Sequence, residues 1–520
     1  MRLTYSTMFD PPPELHARFE SALDRVRGRL GRTHGHYING LDISSGPGLE
    51  KRSPANADLI LGYFPSGTTA EADAAMAAAE AAFSSWRLAP PAARSAMLRR
   101  ASALIEERIY EIAAALALEV GKNRMEALGE VQETADFFRI YCDDFEVRGN
   151  FDRKLPDDPL PGFRSHNRSV MKPYSPWVVI TPFNYPFALA GGPVAAALVT
   201  GNTVVLKGAS DTPWAGRLLA DCLHDAGLPA GVFNYVFGSG STVGEALLAH
   251  RAAAGVTFTG SHEVGMGILR RFAGGAYPKP CILEMGGKNA VIVTRGADLE
   301  RAALGIVRSA FGMGGQKCSA LSRIYVEERV ADRLLKRLVP AIEAIRTGDP
   351  VLKDNWLGPV INERAYENYQ RYAGELRAGG AKILCGGGVL QEGELAQGFY
   401  CAPTLAEAPL EHPLWRRELF VPIVLLARVP DRDAAMRLAN DSPLGLTAGF
   451  YGSEHEIGWF LDHIEAGVTY VNRPQGATTG AWPGYQPFGG WKGSGNTGKA
   501  IASFYYLAQY MREQSQTVVE

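Results

Sequence analysis

Short runs of β-branched residues alternate with helical segments through the middle of the chain, and this alternation restricts the possible folds more than any other feature. The runs are WVVITPF, NTVVLKG, VFNYVFG, GVTFTGS and NAVIVT, and they are separated by amphipathic stretches such as TPWAGRLLADCLHDAGL. Strands that alternate with helices pair in parallel, because each helix returns the chain to the starting edge of the sheet. We therefore predict an α/β protein with a doubly wound parallel sheet.

A second series of the same kind follows residue 318. RIYVEERVADRLLKRLVPAIEAI, KILCGGG and PIVLLARVP repeat the alternation, while Ala/Glu/Arg-rich segments over 14–32 and 69–146 have helical spacing. The Gly/Pro/aromatic run at 473–498 is long for a connection, which favours a functional loop. A chain of 520 residues is too long for one ordinary core, so two or three domains are expected.

The composition argues against several classes of function. The 53 Lys and Arg residues nearly balance the 55 Asp and Glu residues, so nothing indicates a surface for nucleic acid. The six cysteines include no CxxC pair, which argues against a disulfide framework and a zinc site, and we predict no metal. The N-terminal residues lack the apolar region of a signal peptide.

The uncharged stretch between Lys172 and Lys207 resembles a membrane span only superficially. It contains five prolines, and a helix in lipid would leave the backbone groups that they free without partners. A buried strand, loop and helix fit the stretch better. We therefore expect a cytoplasmic protein that binds neither membranes nor nucleic acid.

Small residues follow two of the predicted strands at positions that suit a phosphate. Gly240 and Gly244 open a helical stretch after VFNYVF, and Ser261 is a natural N-cap three residues after Phe258. A helix N-terminus favours an anion, although glycine and serine at a strand end are more often only turn residues. Lys207, at the end of NTVVLK, fits either a solvated charge or a ribose ligand.

Cys318 lies in the run GQKCSALSR, between Lys317 and Ser319, and these polar neighbours are unlike those of a packed core cysteine. Glu284 leaves an apolar strand just before a Gly-Gly pair. It fits either a turn residue or a general base whose pKa is raised by an apolar wall. Cys318 follows Glu284 by 34 residues that include a helical segment, so the chain can bring the two side chains together.

The motifs TPFNYP, LEMGGKN, FGMGGQKCSA, ELFVP and QPFGGWKGSG occur in the order and spacing of the NAD(P)-dependent aldehyde dehydrogenase superfamily, which the chain resembles over residues 35–510. The resemblance implies a Rossmann-like cofactor domain, an α/β catalytic domain and a β-flap that mediates oligomerisation. The domains expected on this basis are an N-terminal helical part of the cofactor domain at 1–147, an oligomerisation flap at 148–168, the Rossmann-like domain at 169–285, the catalytic domain at 286–484 and a C-terminal oligomerisation segment at 485–520.

The resemblance also implies roles for individual residues. Cys318 would attack the aldehyde carbon to give a thiohemiacetal, which loses hydride to the nicotinamide and leaves a thioester. Asn184 and the backbone N–H of Cys318 would form the oxyanion hole, and Glu284 would activate the hydrolytic water. The cofactor contacts that it implies are Lys207, Ser210, Gly240, Gly244, Phe258, Ser261, Glu418 and Phe420.

Within the superfamily, the chain most resembles the 1-pyrroline-5-carboxylate (glutamate γ-semialdehyde) dehydrogenases, on the segments GGQKCSA, EVQETADFFR and TGAWPGYQPFGG. This resemblance implies that glutamate γ-semialdehyde is oxidised to glutamate in proline catabolism. Glu133 would face the substrate amine, and Lys317 and Ser319 would face a carboxylate. The other substrate contacts that it implies are the backbone N–H groups of Gly480 and Ala481 and the aromatic walls Tyr185 and Phe488.

The chain departs from that subfamily at several positions. The loop between Asn472 and Gly480 is longer, Trp482–Pro483 replaces small aliphatic residues, and Val421 stands where glycine is usual. Ser210 stands where NAD-preferring members often carry glutamate, and serine does not repel a 2′-phosphate. We therefore expect NAD as the cofactor, with tolerance of NADP.

Other functions stay open. The substrate could be another ω-carboxy aldehyde or a hydrophobic aldehyde, or the fold could serve as a non-catalytic cofactor-binding or structural protein. The presence of Cys318, Asn184 and Glu284 together argues against a scaffold, and a thiol hydrolase would lack a histidine near the cysteine in sequence. The strand-like segment at 501–520 suggests contact with a partner subunit, as in a homodimer or a higher homo-oligomer.

Overall fold

The structure is a computed structural model that describes residues 11–44, 48–174, 176–474 and 482–520. Within those ranges we find no helix with the length and apolarity that a membrane span needs. The α-helices are α1 Pro13–Arg27, α2 Thr69–Trp86, α3 Pro91–Glu107, α4 Ile109–Val120, α5 Arg124–Val147, α6 Ala188–Val199, α7 Pro213–Asp225, α8 Glu245–Ala249, α9 His262–Ala273, α10 Leu299–Phe311, α11 Glu328–Glu343, α12 Glu363–Ala378, α13 Arg432–Asn440 and α14 Ile457–His463.

The strands fall into the regions that the alternation predicts, with further short strands in the N-terminal part. The strands are β1 Arg32–Thr33, β2 His36–Ile38, β3 Leu41–Ile43, β4 Gly48–Ser53, β5 Asn56–Pro65, β6 Asp152–Leu155, β7 Ser165–Pro173, β8 Trp177–Ile180, β9 Val204–Lys207, β10 Phe233–Val236, β11 Gly255–Gly260, β12 Cys281–Met285, β13 Asn289–Val293, β14 Leu321–Glu327, β15 Lys382–Cys385, β16 Thr404–Glu407, β17 Ile423–Val429, β18 Leu444–Gly445, β19 Thr447–Tyr451, β20 Val468–Val471, β21 Trp491–Lys492 and β22 Met511–Val519.

The first large sheet has the strand order β12-β11-β8-β9-β10-β2-β3, and β8 to β12 all run parallel. The chain moves outward from β8 through β9 to β10, then returns to place β11 and β12 on the other side of β8. This reversal confirms the doubly wound sheet, and in such sheets ligands bind in the crevice at the carboxyl ends of the strands, where the order reverses.

Apolar residues on both faces of these strands explain why the sheet is buried. Val179 and Leu206 belong to one hydrophobic cluster, while Val178 and Val205 belong to another. Successive residues of a strand point to opposite faces, so runs without polar alternation require a helical layer on each side. The stretch between Lys172 and Lys207 contributes β8 and α6, as predicted for a buried strand, loop and helix.

The second large sheet has the order β15-β16-β17-β14-β13-β19-β20, and only β15 runs antiparallel to its neighbour. It contains the strands that the sequence predicts after Cys318, together with β13, whose run NAVIVT the sequence grouped with the first series. Residues 286–288 join β12 of the first sheet to β13 of the second. The two sheets therefore meet at the Gly-Gly pair that follows Glu284.

A third sheet is formed by β6, β7 and β22, with β7 in the middle. β22 pairs antiparallel with the whole of β7, from Met511 opposite Pro173 to Val519 opposite Ser165. The predicted flap boundary at 168 therefore falls inside β7, because this ladder extends the strand to Pro173. The predicted C-terminal segment at 485–520 also has two parts. Its β21 pairs with β18, which lies within the predicted catalytic segment 286–484, whereas its β22 pairs with β7.

Candidate active site

Residues that lie far apart in sequence meet at the carboxyl edge of the first sheet. The ladder aligns Ile180 with Lys207 and with Phe258, and Thr259 with Glu284. Asn184 follows β8 directly, so it leaves the sheet at the same edge. The topology thus gathers the predicted oxyanion, ribose and general-base residues on one side of the molecule.

Cys318 enters this site from the second unit, through a tight turn between α10 and β14. Met313, Gly314 and Gly315 have φ values of 51°, 64° and 69°, and a Cβ at Gly315 would lie 2.5 Å from the carbonyl oxygen of Val421. The turn therefore depends on glycine at that position. Cys318 is part-buried, whereas the other five cysteines are buried, as expected if it alone is to react.

The environment of Cys318 favours neutral side chains. Burial raises the pKa of the Cys318 thiol well above its usual range, and the carboxylates of Glu284 and Glu418 raise it further. Burial also raises the pKa of Glu284 to about 8 and that of Glu418 to about 7. Near pH 7, Glu284 is therefore mostly protonated and Cys318 is a thiol.

Two buried polar atoms of the site lack hydrogen-bond partners among the described residues. They are Oε1 of Glu284 and Oδ1 of Asn184, whose side chain is only 2% exposed. Buried polar atoms are rarely left unpaired in native proteins, so both atoms fit groups that bind a ligand or water. This supports the predicted functions of Asn184 and Glu284 over a turn role.

The Lys207 region is open in the way that a bound nucleotide requires. The buried ammonium donates to the carbonyl oxygen of Gly208 at 3.0 Å, and burial lowers the pKa of Lys207 to about 8. A Cβ at Gly244 would have only Cε of Lys207 within 4 Å, and one at Gly240 would meet nothing. This free space beside a buried cation suits ribose or phosphate groups.

Three other predicted cofactor residues lie near this edge in different environments. The exposed Ser261 caps α9, since its hydroxyl accepts from the backbone N–H of Val264 at 3.4 Å. Phe258 is only 5% exposed and packs under Gly260, so it supports the loop more than it presents a surface. Ser210 is exposed, and its hydroxyl donates to a loop carbonyl at 3.2 Å.

Glu418 and Phe420 come from the second unit, just before β17. The backbone N–H of Gly287 donates to Oε1 of Glu418 at 2.8 Å. Phe420 has a φ of 57°, and its ring meets that of Phe183 edge-on, with centroids 5.7 Å apart. Val421 is 4% exposed and belongs to the hydrophobic cluster of the catalytic unit.

A cavity of about 280 Å³ leads to Cys318. The predicted substrate residues that line it are Glu133, Tyr185, Lys317, Ser319 and Phe488. Gly480 and Ala481 lie outside the described residues. One cavity thus brings together the predicted nucleophile, an acid, a cation and two aromatic walls.

Lys317 has a partner that the sequence did not reveal. Its ammonium lies 2.7 Å from Oε1 of Glu126. Burial lowers the pKa of Lys317, but Glu126 and Tyr185 together more than offset this, and the pKa lies above its usual range. Lys317 is therefore a firmly charged group whose position is set by Glu126.

Other cavity residues were also missed. Arg308 lines the cavity without having been predicted there. Trp482, which the sequence marks as a departure from the subfamily, also lines it, and its indole N–H donates to Oδ2 of Asp136 at 2.8 Å. For Glu126 a signal did exist, because it lies seven residues before Glu133 and thus on the same face of a helix. Arg308 lies ten residues before Cys318 and carries no comparable signal.

The aldehyde dehydrogenase family model matches residues 43–516. A 1-pyrroline-5-carboxylate dehydrogenase of Geobacillus thermodenitrificans is 38% identical, with 96% of each chain covered. A solved 1-pyrroline-5-carboxylate dehydrogenase from Thermus with bound NAD has a TM-score of 0.92 at 33% identity, with 98% of this chain and 97% of that chain covered. A solved 3,6-anhydro-L-galactose dehydrogenase has a TM-score of 0.87 at 32% identity, with 94% and 100% covered. The chain belongs to the aldehyde dehydrogenase family.

The electrostatic coupling between Cys318 and Glu284 can be tested by alkylation. At a pH above 8, Glu284 is ionised and raises the pKa of Cys318. Glu284→Gln removes that charge, so the pKa of Cys318 should fall and iodoacetamide should modify Cys318 faster than in the wild type. Peptide mass spectrometry gives the rate at each cysteine. A slower reaction would instead mean that Glu284 deprotonates the thiol.

Proposed function

We propose that the protein oxidises glutamate γ-semialdehyde to glutamate with NAD as the hydride acceptor, as a step of proline catabolism. The observation that carries the proposal is the single cavity in which Glu133, Lys317 and Ser319 surround the approach to Cys318. An amino-acid aldehyde has an ammonium and a carboxylate, which require an acid and several donors opposite the reacting carbon. The names of the relatives and the NAD bound to the Thermus enzyme support the same substrate and cofactor.

The residues of the chain divide the chemistry between them. Cys318 first loses its thiol proton to solvent, and the thiolate, a minor species near pH 7, adds to the aldehyde carbon. The oxygen that becomes negative accepts hydrogen bonds from the Asn184 amide and the Cys318 N–H. Lys207, Ser261 and Glu418 would hold NAD, which would supply the acceptor for the hydride that the thiohemiacetal carbon loses. Water then adds to the thioester carbonyl, the bond to the Cys318 sulfur breaks, and the carboxylate product is released while the sulfur recovers a proton.

Glu284 fits the role of general base in that hydrolysis. Its carboxyl is buried, Oε1 has no partner among the described residues, and its pKa of about 8 is close to working pH. A base with a pKa near the operating pH is both ionised often enough and basic enough to take a proton from water. Glu284 would therefore act after Cys318 has been acylated.

A second candidate substrate is a different aldehyde, with a hydrophobic or ω-carboxy tail. It is favoured by Trp482, a large apolar side chain in the cavity wall, and by Arg308, a further cation there. The similarity to a 3,6-anhydro-L-galactose dehydrogenase, at 32% identity, also supports a different aldehyde as substrate. Both candidates use the same Cys318 chemistry and differ only in what the cavity recognises.

A substrate panel distinguishes the two candidates. We expect kcat/KM for glutamate γ-semialdehyde with NAD to exceed that for hexanal, and Cys318→Ala to abolish both reactions. Glu133→Gln should raise KM for the amino aldehyde by about 10- to 100-fold, the worth of a hydrogen bond to a charged group, and leave hexanal unaffected.

The matched control for this panel is Glu146→Gln on the same helix, because Glu146 forms an exposed ion pair with Arg99. It should leave both substrates unchanged. A preference for hexanal, or equal losses on both aldehydes in Glu133→Gln, would contradict the assignment to the amino aldehyde. Repeating the panel with NADP measures the tolerance that Ser210 predicts.

The pKa of Glu284 sets a pH dependence. Hydrolysis requires the ionised carboxylate, so the rate of this step should rise with pH through about 8. Glu284→Gln should keep a first burst of NADH and then turn over at least about 100-fold more slowly than the wild type. The acyl group on Cys318 should then be visible by mass spectrometry. A pH-independent hydrolysis rate would show that Glu284 is not the base.

Ionisation of Glu284 lowers the stability of the fold, although it raises the rate of hydrolysis. Because burial raises the pKa of Glu284 from 4.5 to about 8, the folded state holds the proton more tightly than the unfolded chain. Ionisation therefore costs stability as pH rises from about 4.5 to about 8. Glu284→Gln should gain stability over the wild type at pH 9 in urea denaturation, and much less at pH 5.

We also propose that the protein is a homo-oligomer, a dimer or larger, in the cytoplasm. β22 is an edge strand that ends in Val518 and Val519, which are 58% and 49% exposed, and such an edge invites pairing with another chain. All six cysteines are free, as expected in a reducing compartment.

Sedimentation of the full chain tests the assembly. We expect a dimer or larger species at micromolar concentration. Replacing Val518 and Val519 by glutamate should shift it towards the monomer, because charge on an edge strand opposes strand pairing. Val147→Glu is the matched control, since this valine is 86% exposed on α5. A wild-type monomer would contradict the proposal.

A further inference from the structure

A buried ion pair lies directly behind the loop that carries Asn184. Lys122, just before α5, and Glu130, on α5, form an ion pair in which neither side chain is exposed to solvent. Glu130 is four residues from Glu126, so both acids lie on the helix face that also carries Glu133. On this face Glu126 contacts Lys317 and Glu130 contacts Lys122. Glu133 lines the Cys318 cavity.

Glu130 fixes the end of the loop where α6 begins. Its Oε1 accepts hydrogen bonds from the backbone N–H groups of Phe187 at 2.8 Å and Ala188 at 3.1 Å. Phe187, the N-cap residue of α6, provides no side-chain cap, and the first N–H groups of a helix need an acceptor. Glu130 supplies that acceptor from another helix, and it thereby ties the loop to α5.

Lys122 holds the other end of the same loop. Its ammonium donates to the backbone carbonyl of Asn184 at 2.7 Å, and it lies 4.0 Å from the centroid of the Tyr185 ring. The pair therefore bonds the loop at Asn184, Phe187 and Ala188 and contacts the ring of Tyr185. The positions of Asn184 and of the Tyr185 ring thus both depend on the Lys122–Glu130 ion pair.

We propose that Lys122 and Glu130 are positioning residues that hold Asn184 where its amide can stabilise the developing oxyanion. The proposal rests on the function proposed above for Asn184. Neither side chain lines the Cys318 cavity, so the pair acts through the loop and touches no reacting atom. Preorganised donors are effective only when they are held within a fraction of an ångström, and a 1 Å displacement can cost about 100-fold in rate.

If the Lys122–Glu130 pair only stabilised the fold, a different experimental result would be expected. Replacing both members of a buried ion pair with neutral side chains of similar shape is often neutral for stability, because the desolvation cost of both charges disappears with their attraction. Lys122→Met with Glu130→Gln keeps the volume and the acceptor oxygen for α6, but removes the donor to Asn184. Positioning and stability can therefore be separated in one variant.

The double variant should unfold at nearly the same urea concentration as the wild type, while kcat falls by about 10- to 100-fold and KM changes little. The matched control is Glu119→Gln. Glu119 is 1% exposed and caps α7 through the N–H groups of Trp214 at 2.7 Å and Ala215 at 2.9 Å, away from the Cys318 cavity. It should change kcat by less than about twofold. A double variant with wild-type kcat would overturn the proposal.

A double-mutant cycle with Asn184→Ala tests whether the pair acts through the amide. Asn184→Ala should lower kcat by about 100- to 1,000-fold, and the pair substitution should then add almost nothing, because the group that it positions is gone. Independent, multiplying losses would overturn the proposal. Lys122→Met alone serves in the same cycle if the double variant does not fold, because it removes the donor to Asn184 and leaves Glu130 its two backbone N–H bonds.

Two further readouts keep this test separate from the proposed substrate. All variants are compared on hexanal as well as on glutamate γ-semialdehyde, so a different physiological aldehyde leaves the ratio of variant to wild type interpretable. The rate of Cys318 alkylation by iodoacetamide involves no oxyanion, so it should stay unchanged in the double variant. A parallel loss of alkylation would mean that the whole site has collapsed and would also overturn the proposal.

Discussion

Two adjacent glycines allow the two halves of the active site to meet. A Cβ at Gly286 would lie 2.2 Å from Oε2 of Glu418, and one at Gly287 would lie 2.4 Å from the carbonyl oxygen of Cys318. Both distances are shorter than any non-bonded contact. A side chain at position 287 would displace the backbone that carries Cys318, and one at position 286 would displace the carboxylate of Glu418. The close approach of Cys318, Glu418 and Glu284 depends on the absence of those two carbons.

The acids of the site show how environment assigns function to one residue type. Glu126 and Glu130 each contact a lysine, so their charges are matched and they act as structural partners. Among the residues that the structure describes, no lysine or arginine pairs with Glu284, and burial alone raises its pKa to about 8. Whether a buried carboxylate can serve as a general base or as a structural partner depends on the charges and hydrogen-bond donors within a few ångströms of it.

Much of the fold and the chemical centre could be predicted from sequence, because both depend on local patterns. The alternation of strands and helices gives both large sheets, and the polar surroundings of Cys318 distinguish it from the buried cysteines. The partners of Lys317 and Asn184 could not be predicted in the same way. Glu126 lies 191 residues from Lys317, and such a pairing is decided only when α5 packs against the loops of the other unit. The end of β7 was missed for the same reason, since its length is set by a distant strand.

That distant pairing has a consequence for how the chain is made. Ser169 of β7 bonds to Glu513 of β22, 344 residues later. At a synthesis rate of about 5–20 residues per second, β7 waits roughly 20 to 70 s on the ribosome for its partner. During that time one strand edge is open to other nascent chains. The charge of Arg168 is matched by Asp152 of β6. Lys172 is exposed on β7, and its charge discourages wrong pairing while the sheet is incomplete.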